Sequence, residues 1–476
     1  MASIAQGREV LKRQVCGGPG ILSEHVSPAE VEGLCKGVGH VWRERGWGPF
    51  RTLWAFLVQV LHAGSSCRSA VAMVLGTLAA GEPARPGGLS EPGGGRLPSG
   101  DPSAYCQARQ RLPLAVFVEM LQHVGWQLQQ SVDQAHRWLG RRVWVVDGTT
   151  CSMSDTPDLQ RAFGQPSGQA KGCGFPVAKV VAMIGWASGA VLQAAIGPWR
   201  EHELPLWRRL WNQLAPGDLL LGDRLYCTFA DIVGLVRRGC DCVLRLHQRR
   251  PRDFRRGRRL GRYDRLVTWH RPLRHARPRG MGVREWKRLP ETLTVRILRF
   301  ATETPGFRSR RIYVATTLLD PVAYPAEEIA SLYRDRWMIE LRFRDIKNTL
   351  GMDVLRGESA DLVRKEILMH LLAYNLIRSL MWRAAAQHQT DLHRLSFAGT
   401  VDRLKAVAPY LWLWAGTPQA HRLSELLLRW IAHDPVPHRP NRIEPRAVKR
   451  RPKEYDRLNK PRHQLRKNLL RKALSS

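Results

Sequence analysis

Two runs of apolar residues, each followed by an aspartate, constrain the fold of this 476-residue chain more than any other feature. One run covers residues 143–146 and ends at Asp147, and the other covers 219–222 and ends at Asp223. Short uninterrupted apolar runs are typical of strands that are buried on both faces. Open α/β sheets place their active sites at the carboxyl ends of such strands. The runs therefore predict an α/β core with both aspartates in one site, although an aspartate after a strand is also common as a turn or helix-capping residue.

The residues around these runs differ in periodicity and composition along the chain. Apolar positions recur at helical spacing before residue 135, whereas short strands alternate with helices from residue 140 onward. Arginine-dense sequence begins at residue 247, and strand-like segments follow it. We therefore divide the chain into an all-helical N-terminal domain (1–135), a first part of the α/β core (140–246), a basic β-rich insertion (247–318), a second part of the core with C-terminal helices (319–432) and a basic, proline-broken arm that we expect to be flexible (433–476).

The charge balance predicts a polyanionic partner. The chain contains 75 lysines and arginines against 41 acidic residues, which gives a formal net charge of +34. A basic surface of this size suits nucleic acid, because each phosphate contact releases condensed counterions. A solvated basic surface, or a scaffold that binds RNA without chemistry, would have the same composition. Arginines are densest in the insertion, at Arg249, Arg250, Arg252, Arg255, Arg256, Arg258, Arg259, Arg262 and Arg265.

Cysteine usage and hydropathy predict a soluble, cytoplasmic protein. The nine cysteines are scattered and form no Cys-x-x-Cys pair, which is typical of reduced thiols and argues against a zinc finger. No signal peptide is apparent at the N-terminus. The longest apolar run, at 53–63, is interrupted by Gln59 and His62 and is too short to span a membrane.

Four polar residues fall on one face of a long helix predicted from about Ala326 to Leu350. Tyr333, Arg336, Glu340 and Lys347 are separated by three, four and seven positions, so they lie within roughly 60° of one another. A solvated face with an Arg336–Glu340 ion pair would explain two of the four but not the tyrosine or the lysine. The four border an apolar stripe that we expect to be buried, formed by Ile329, Leu332, Ile339, Phe343, Ile346 and Leu350.

This spacing resembles the signature helix of the insertion-sequence-4 family of DDE transposases. The stretches Asp147-Gly148-Thr149 and Gly222-Asp223-Arg224-x-Tyr226 are similar to the two aspartate motifs of that family. The resemblance extends from about residue 100 to the end, and includes Tyr105–Arg109 and the basic stretch 450–463. It implies a ribonuclease-H-like catalytic core, with a β-rich insertion between the second aspartate and the glutamate.

The resemblance also implies a reaction and a set of site residues. Asp147, Asp223 and Glu340 would be catalytic and would hold two Mg²⁺ ions, with Mn²⁺ as a substitute, because carboxylates are hard oxygen ligands. The reaction would be cut-and-paste transposition, with metal-dependent cleavage at terminal inverted repeats, a hairpin at the transposon end and strand transfer into target DNA. The residues expected to contact DNA are Arg224, Tyr333, Arg336 and Lys347 near the scissile phosphate, Tyr313 or its rival Trp286 against a flipped base, and Arg109 on a candidate recognition helix at 103–111.

The expected partner is double-stranded DNA, both the terminal inverted repeats and the target, bound by a homodimer with no membrane association. The protein would be bacterial and associated with the nucleoid when bound to DNA. Two alternatives stay open: an inactive transposase-derived DNA-binding protein, and another endonuclease of the ribonuclease-H fold. His202 and Glu203, which precede a predicted helix, are weaker candidates for groups behind the metal ligands.

Overall fold

The structure is a computed structural model, and parts of the chain lie outside the residues that it describes. The described residues are 26–43, 46–80, 98–131, 136–168, 170–273, 277–278, 280–301, 311–437 and 458–474. Half of the arm predicted at 433–476 and the first part of the basic stretch 450–463 therefore lie outside them.

The N-terminal region is helical where it is described. Its first helix begins with a capping box, in which the side chains of Ser27 and Glu30 each accept a hydrogen bond from the other residue's backbone amide. The last and longest helix of this region packs against the edge of the central sheet and against a long C-terminal helix. The helices are α1 (Pro28–Gly37), α2 (Pro49–Leu61), α3 (Cys67–Ala80), α4 (Pro102–Arg111) and α5 (Leu114–Gln130).

Ten strands of the described residues form one mixed sheet in the order β3-β2-β1-β4-β5-β9-β8-β7-β6, and β10 pairs with the far end of β1. Strand β2 pairs antiparallel with both β1 and β3, whereas β1, β4 and β5 are parallel to one another. This is the arrangement of a ribonuclease-H-like core, and it confirms the predicted fold class. The strands are β1 (Val143–Met153), β2 (Val177–Gly185), β3 (Val191–Pro198), β4 (Leu219–Gly222), β5 (Asp241–Arg245), β6 (Arg258–Gly261), β7 (Asp264–His270), β8 (Thr292–Ala301), β9 (Arg311–Thr316) and β10 (Val354–Leu355).

The alternation of side chains along β1 divides the core into two apolar layers. Val143 and Val145 pack into the layer that contains Ile339. Trp144 and Val146 point to the other face and pack with Trp207. Both sets are buried, which explains why the strand reads as an uninterrupted apolar run. The short helices between the strands are α6 (Pro157–Ala162), α7 (Glu203–Arg209), α8 (Phe229–Val236) and α9 (Val283–Lys287).

The strands predicted in the insertion continue the sheet of the core. Strand β9 pairs with β5, and β8, β7 and β6 follow it outward. One buried ion pair links two of these strands: the guanidinium of Arg296 donates to both carboxylate oxygens of Asp264. The same guanidinium donates to the carbonyl of Tyr324, just before the next helix.

The helix predicted from Ala326 to Leu350 is divided into three segments. Helix α10 (Ala326–Asp335) ends before Arg336, α11 (Met338–Arg344) follows, and residues Asp345–Thr349 form a π-helical turn. Across the junction the amides of Ile339 and Glu340 bond three residues back, to Arg336 and Trp337. The prediction of one continuous helix was therefore wrong, because a tighter turn and then a wider turn replace the regular ladder.

The C-terminal region is helical. Helix α12 (Ala360–Gln387) runs through the core, and α13 (Phe397–Leu413) and α14 (Pro418–Ala432) pack beside it. Gly416 at φ +76° and Pro418 separate α13 from α14. A last helix, α15 (Arg462–Leu474), occupies a segment that we predicted as a flexible arm.

The first residues of α15 contact the core, which gives part of the predicted arm a fixed position. Arg462 donates to Asp155 at 3.2 Å and lies over the ring of Phe175. Among the described cysteines no disulfide forms, and Cys16 lies outside the described residues. None of the helices in the described part of the chain combines the length and the apolar character that a membrane span requires.

Candidate active site

Asp147 lies in the middle of β1, beyond the point where its neighbour β4 ends. It pairs with Ala182 of β2, and its side chain points to the face where α11 packs. One carboxylate oxygen accepts a hydrogen bond from the amide of Gly148 at 2.8 Å. The sequence placed Asp147 at the carboxyl end of its strand, but β1 continues to Met153. The aspartate instead lies beside the carboxyl end of the neighbouring strand β4.

Asp223 follows β4, in the neighbouring parallel strand. It begins a short 3-10 turn, and its carboxylate accepts a hydrogen bond from the amide of Arg224. Because β1 and β4 are parallel and adjacent, the two aspartates lie at the same side of the sheet. Asp223 also caps this turn, so the capping role that is common for an aspartate after a strand is present here as well.

Glu340 lies on α11, and Arg336 links its carboxylate to that of Asp147. The guanidinium of Arg336 donates to Asp147 at 3.5 Å and to Glu340 at 3.2 Å. Arg336 is largely buried, whereas Glu340 is exposed for 42% of its side chain. The break between α10 and α11 falls at Arg336, so the irregular backbone lies where the arginine bridges the two carboxylates. The predicted helical face therefore reaches the predicted strand ends.

The three carboxylates influence one another electrostatically. The pKa of Asp147 is raised to about 6, chiefly by burial and to a smaller extent by the charges of Asp223 and Glu340. The Gly148 amide and the Arg336 guanidinium act in the opposite direction. The site thus holds more negative charge than its arginine offsets.

The chemistry of these donors fits a divalent cation. Carboxylate oxygens are the ligands that Mg²⁺ and similar hard cations prefer, and all three come from elements of the core. Among the described residues, however, no three acidic, histidine or cysteine side chains are close enough together to enclose a metal ion. The side-chain positions instead place the Arg336 guanidinium between Asp147 and Glu340.

The other two residues of the predicted helical face bond to the backbone near the aspartates. Tyr333 is buried, and its hydroxyl donates to the carbonyl of Gly222 at 3.4 Å. Lys347, in the π-helical turn, donates to the carbonyl of Thr150 at 3.0 Å. All four residues therefore face the strand ends. A direct DNA contact by Tyr333 would need a change of conformation, because its ring is buried, whereas Lys347 is only partly buried.

The remaining candidate DNA contacts differ in exposure. Arg224 is exposed beside Asp223 and donates to Gln248. Trp286 is 4% exposed within the apolar core, so its ring has no free face for a base. Tyr313 is partly buried and has Arg252 over its ring at 4.9 Å, so a base would have to displace that arginine.

Arg109 lies inside the helical N-terminal region rather than on its surface. Helix α4 forms as predicted, but the guanidinium packs over the rings of Phe56 and Tyr105 and donates to Gln59. In this conformation the arginine joins α2 to α4. A DNA contact by this residue stays a prediction, and Ser103, Gln107, Gln110 and Arg111 are the exposed residues of the same helix.

An exposed group of arginines covers the outer strands of the sheet. The arginines follow β5 and continue through β6, and they are accompanied by aromatic rings: Arg250 lies over Trp269 at 4.1 Å. Arginine side chains beside aromatic rings are typical of nucleic-acid-binding surfaces. The exposed members are Arg249, Arg252, Arg255, Arg256, Arg258, Arg259 and Arg262.

The carboxylate of Glu203, which was a weaker candidate in the sequence, lies next to the site. Glu203, the first residue of α7, lies against the backbone of Gly148. The hydroxyl of Tyr226, in the turn that Asp223 begins, interacts with it. The only signal in the sequence is that a glycine follows Asp147 and leaves room for another group.

Comparison with known proteins shows the family to which the chain belongs. Residues 138–376, which are half of the chain, match the family described as "Transposase DDE domain". The chain is 27% identical over 368 residues to the transposase InsG for insertion sequence element IS4 of Escherichia coli strain K12, which is 76% of this chain and 79% of that protein. It is also 26% identical over 147 residues to the putative transposase InsZ of the same strain, which is 29% of this chain and 47% of that protein.

A similarity to one solved structure spans most of the chain at low sequence identity. With a TM-score of 0.46 and 6% identity, 90% of this chain matches 87% of a chain in the cryo-EM structure of the piggyBac transposase synaptic complex with hairpin DNA. The matched family segment contains Asp147, Asp223 and Glu340, together with the sheet and helices that carry them. The chain therefore belongs to the transposases with a DDE domain, of the insertion-sequence-4 type.

Proposed function

We propose that this transposase cuts and joins DNA with Asp147, Asp223 and Glu340 as its catalytic carboxylates. The observation that carries the proposal is the junction between α10 and α11, where Arg336 bridges Asp147 and Glu340 beside Asp223. The sequence separates the second aspartate from the glutamate by the whole insertion, yet the fold returns the glutamate to the strand ends. An inactive DNA-binding relative would have no need to keep all three carboxylates in this arrangement.

A DDE domain implies dependence on divalent metal ions. We infer that the ions are Mg²⁺, two per site, with Mn²⁺ as a substitute, and that Asp147, Asp223 and Glu340 hold them. When bound, such ions lower the pKa of an attacking water and offset the charge that develops on the leaving oxygen. The residues of the chain position the DNA around that chemistry.

Arg336 and Lys347 supply positive charge next to the carboxylates. They bond to Asp147, Glu340 and the Thr150 carbonyl, which holds both side chains close to β1. We propose that both contact phosphates beside the scissile bond, because charge-assisted hydrogen bonds to phosphate are strong and directional. The buried hydroxyl of Tyr333 positions the turn that carries Asp223, through the carbonyl of Gly222.

The exposed arginines of the insertion support a broad DNA surface. They extend outward from β5, on the continuous sheet that also carries the catalytic aspartates. We propose that this surface holds the transposon end, and that the end forms a hairpin with a flipped base stacked on Tyr313. Arg252, which lies over that ring, would then move to a phosphate. We also propose that two copies of the chain act as a dimer on paired ends and associate with the nucleoid.

Alanine variants of the three carboxylates test the catalytic proposal. The substrate is DNA carrying the inverted repeats that flank the gene, and the products are resolved on denaturing and native gels in Mg²⁺. We expect Asp147→Ala, Asp223→Ala and Glu340→Ala to bind the ends as the natural protein does but not to nick them. Asp402→Ala, which removes an exposed acid of α13, is the matched control and should cleave normally.

The products separate the remaining functions. Hairpin ends followed by joined target DNA support cut-and-paste transposition, whereas nicks without joining indicate an endonuclease of the same fold. Binding without nicking by the natural protein indicates an inactive relative. Normal cleavage by any of the three carboxylate variants would contradict the proposed site.

A further inference from the structure

Glu203 occupies the space that a side chain at Gly148 would need. A Cβ atom built on Gly148 would lie 2.7 Å from one carboxylate oxygen of Glu203 and 2.9 Å from its carboxyl carbon. Real Cβ atoms do not approach other atoms so closely, so the carboxylate rests directly on the strand backbone. The residue on the other side of that peptide bond is Asp147. Glu203 therefore contacts β1 at the position next to a catalytic aspartate.

The carboxylate of Glu203 is on the face of the sheet opposite to the Asp147 side chain. Trp144 and Val146 of β1 point to the layer that contains Leu204 and Trp207 of α7. Gly148 continues that alternation, so its open side faces α7. Glu203 consequently acts from behind the strand, and Arg336 and Glu340 act from the front.

Tyr226 connects Glu203 to the second aspartate. Its backbone amide donates to the carbonyl of Asp223 at 3.1 Å, so ring and aspartate belong to one short turn. The ring is 2% exposed, and its hydroxyl makes no hydrogen bond of regular geometry among the described residues. This buried hydroxyl interacts with the carboxylate of Glu203.

The helix that presents Glu203 is fixed. His202 caps α7 by accepting from the amide of Leu204, and Leu206 and Trp207 are buried beneath the helix. This packing holds the backbone of Glu203 next to β1. Glu203 touches β1, which carries Asp147, and the turn that carries Asp223. It belongs itself to a third element, α7.

We propose that Glu203, together with Tyr226, is a positioning residue that sets the separation of Asp147 and Asp223. The inference rests on the proposed function, because it assumes that those two aspartates hold metal. Residues behind metal ligands orient them, and their loss lowers metal affinity or activity roughly 10- to 100-fold. Neither Glu203 nor Tyr226 touches the DNA or the metal in this account.

Isosteric substitutions separate positioning from simple stability. Glu203→Gln keeps the shape at Gly148 and removes the charge, and Tyr226→Phe removes only the hydroxyl. Mn²⁺ affinity is measured on the protein bound to end DNA, by following free Mn²⁺ with electron paramagnetic resonance. Cleavage is measured at limiting and at saturating Mn²⁺. Glu201→Gln is the matched control, since Glu201 is two residues away and is also partly buried, but it lies against Gly197 of β3 and pairs with Arg209 instead of contacting β1.

We expect Glu203→Gln to weaken Mn²⁺ binding roughly 10- to 100-fold, with unchanged end binding in the absence of metal. Excess Mn²⁺ should restore much of the cleavage rate, which a general loss of folding would not allow. The double variant of Glu203 and Tyr226 should be no weaker than the poorer single variant, because the two act as one unit. Glu201→Gln should match the natural protein in every measurement.

Two results would overturn the inference and can be told apart from failure of the catalytic proposal. Mn²⁺ affinity of Glu203→Gln within twofold of Glu201→Gln would show that the carboxylate has no positioning role. Additive losses in the double variant would show that Glu203 and Tyr226 do not act together. Asp147→Ala is measured in parallel: if it still binds Mn²⁺ and cleaves, the proposed site itself is wrong.

Discussion

Removal of the carboxylate of Asp264 should open the outer strands of the sheet. Arg296 has no exposed side-chain surface, and it donates to both oxygens of Asp264, at 2.8 and 2.5 Å. It also donates to the carbonyls of Leu318, Asp320 and Tyr324. A guanidinium in this position has no access to water, so Asp264→Ala leaves a buried charge without a counterion.

The cost of that uncompensated charge is about 3–5 kcal/mol. Because about 1.4 kcal/mol corresponds to a factor of ten, local opening of β7 and β8 should become roughly 100- to 5,000-fold more frequent. Hydrogen exchange of peptides from these two strands, followed by mass spectrometry, measures this change directly. The peptides of β1 and β2, at the other end of the sheet, provide the internal reference.

Two variants decide whether the buried charge is the cause. Replacement of both partners, Asp264→Leu with Arg296→Met, should restore most of the protection, since an apolar pair of similar size needs no counterion. Asp253→Ala breaks an ion pair with Arg255, whose side chain is 92% exposed, and should leave the exchange of β7 and β8 unchanged. Equal exchange in the Asp264 and Asp253 variants would refute the reasoning, as would a double variant as unstable as the single one.

Three further predictions follow from single contacts. Burial lowers the pKa of His370, so the folded chain binds fewer protons than the unfolded chain, and the free energy of unfolding should fall as the pH drops below about 6.5. In urea unfolding, His370→Gln should reduce this dependence on pH, whereas replacement of the exposed His421 by glutamine should not. Lys347→Met should slow cleavage and reduce the salt dependence of end binding by about one phosphate contact, while an unchanged slope would mean that its bond to Thr150 is its only role. Tyr313→Ala should lower the fluorescence of a 2-aminopurine placed at the flipped position in complexes with the end, and an unchanged signal would exclude the ring as the stacking platform.

The strands of the core could be predicted from sequence because each is buried on both faces. The apolar run at 143–146 and the leucines of β4 leave no polar position that would suggest a helix or a solvent-facing strand. Parallel pairing of these two strands then places Asp147 and Asp223 together without further information. The family resemblance added the topology that connects them.

The break in the signature helix could not be predicted, because it has no local cause. No proline or glycine lies between Ala326 and Thr349, and the periodicity of the apolar stripe is regular. The turn at Arg336 coincides with its ion pairs to two distant carboxylates, which is a tertiary effect. The break between α13 and α14, in contrast, has a local cause, because Gly416 and Pro418 are both standard signals for a helix end.

The environment of Glu203 was also beyond sequence reasoning. Its contact with Gly148 joins residues 55 positions apart through the packing of α7 on the sheet, and no periodicity reports such a contact. The burial of Trp286 and Tyr333 is of the same kind: an aromatic residue in a motif can serve either the core or the ligand. The sequence identifies these residues as aromatic, but it does not show whether their rings are buried or exposed.

A change of ligand at Asp223 tests the central claim, that these carboxylates hold the catalytic metal. Asp223→Cys replaces a hard oxygen donor with a thiolate, which disfavours Mg²⁺ and accepts softer ions. We predict that this variant binds transposon ends normally, does not cleave them in Mg²⁺, and regains cleavage in Mn²⁺ or Zn²⁺, while Asp223→Ala stays inactive with every ion. Cleavage by Asp223→Cys in Mg²⁺ at the natural rate, or by Asp223→Ala with any ion, would contradict the assignment of the site.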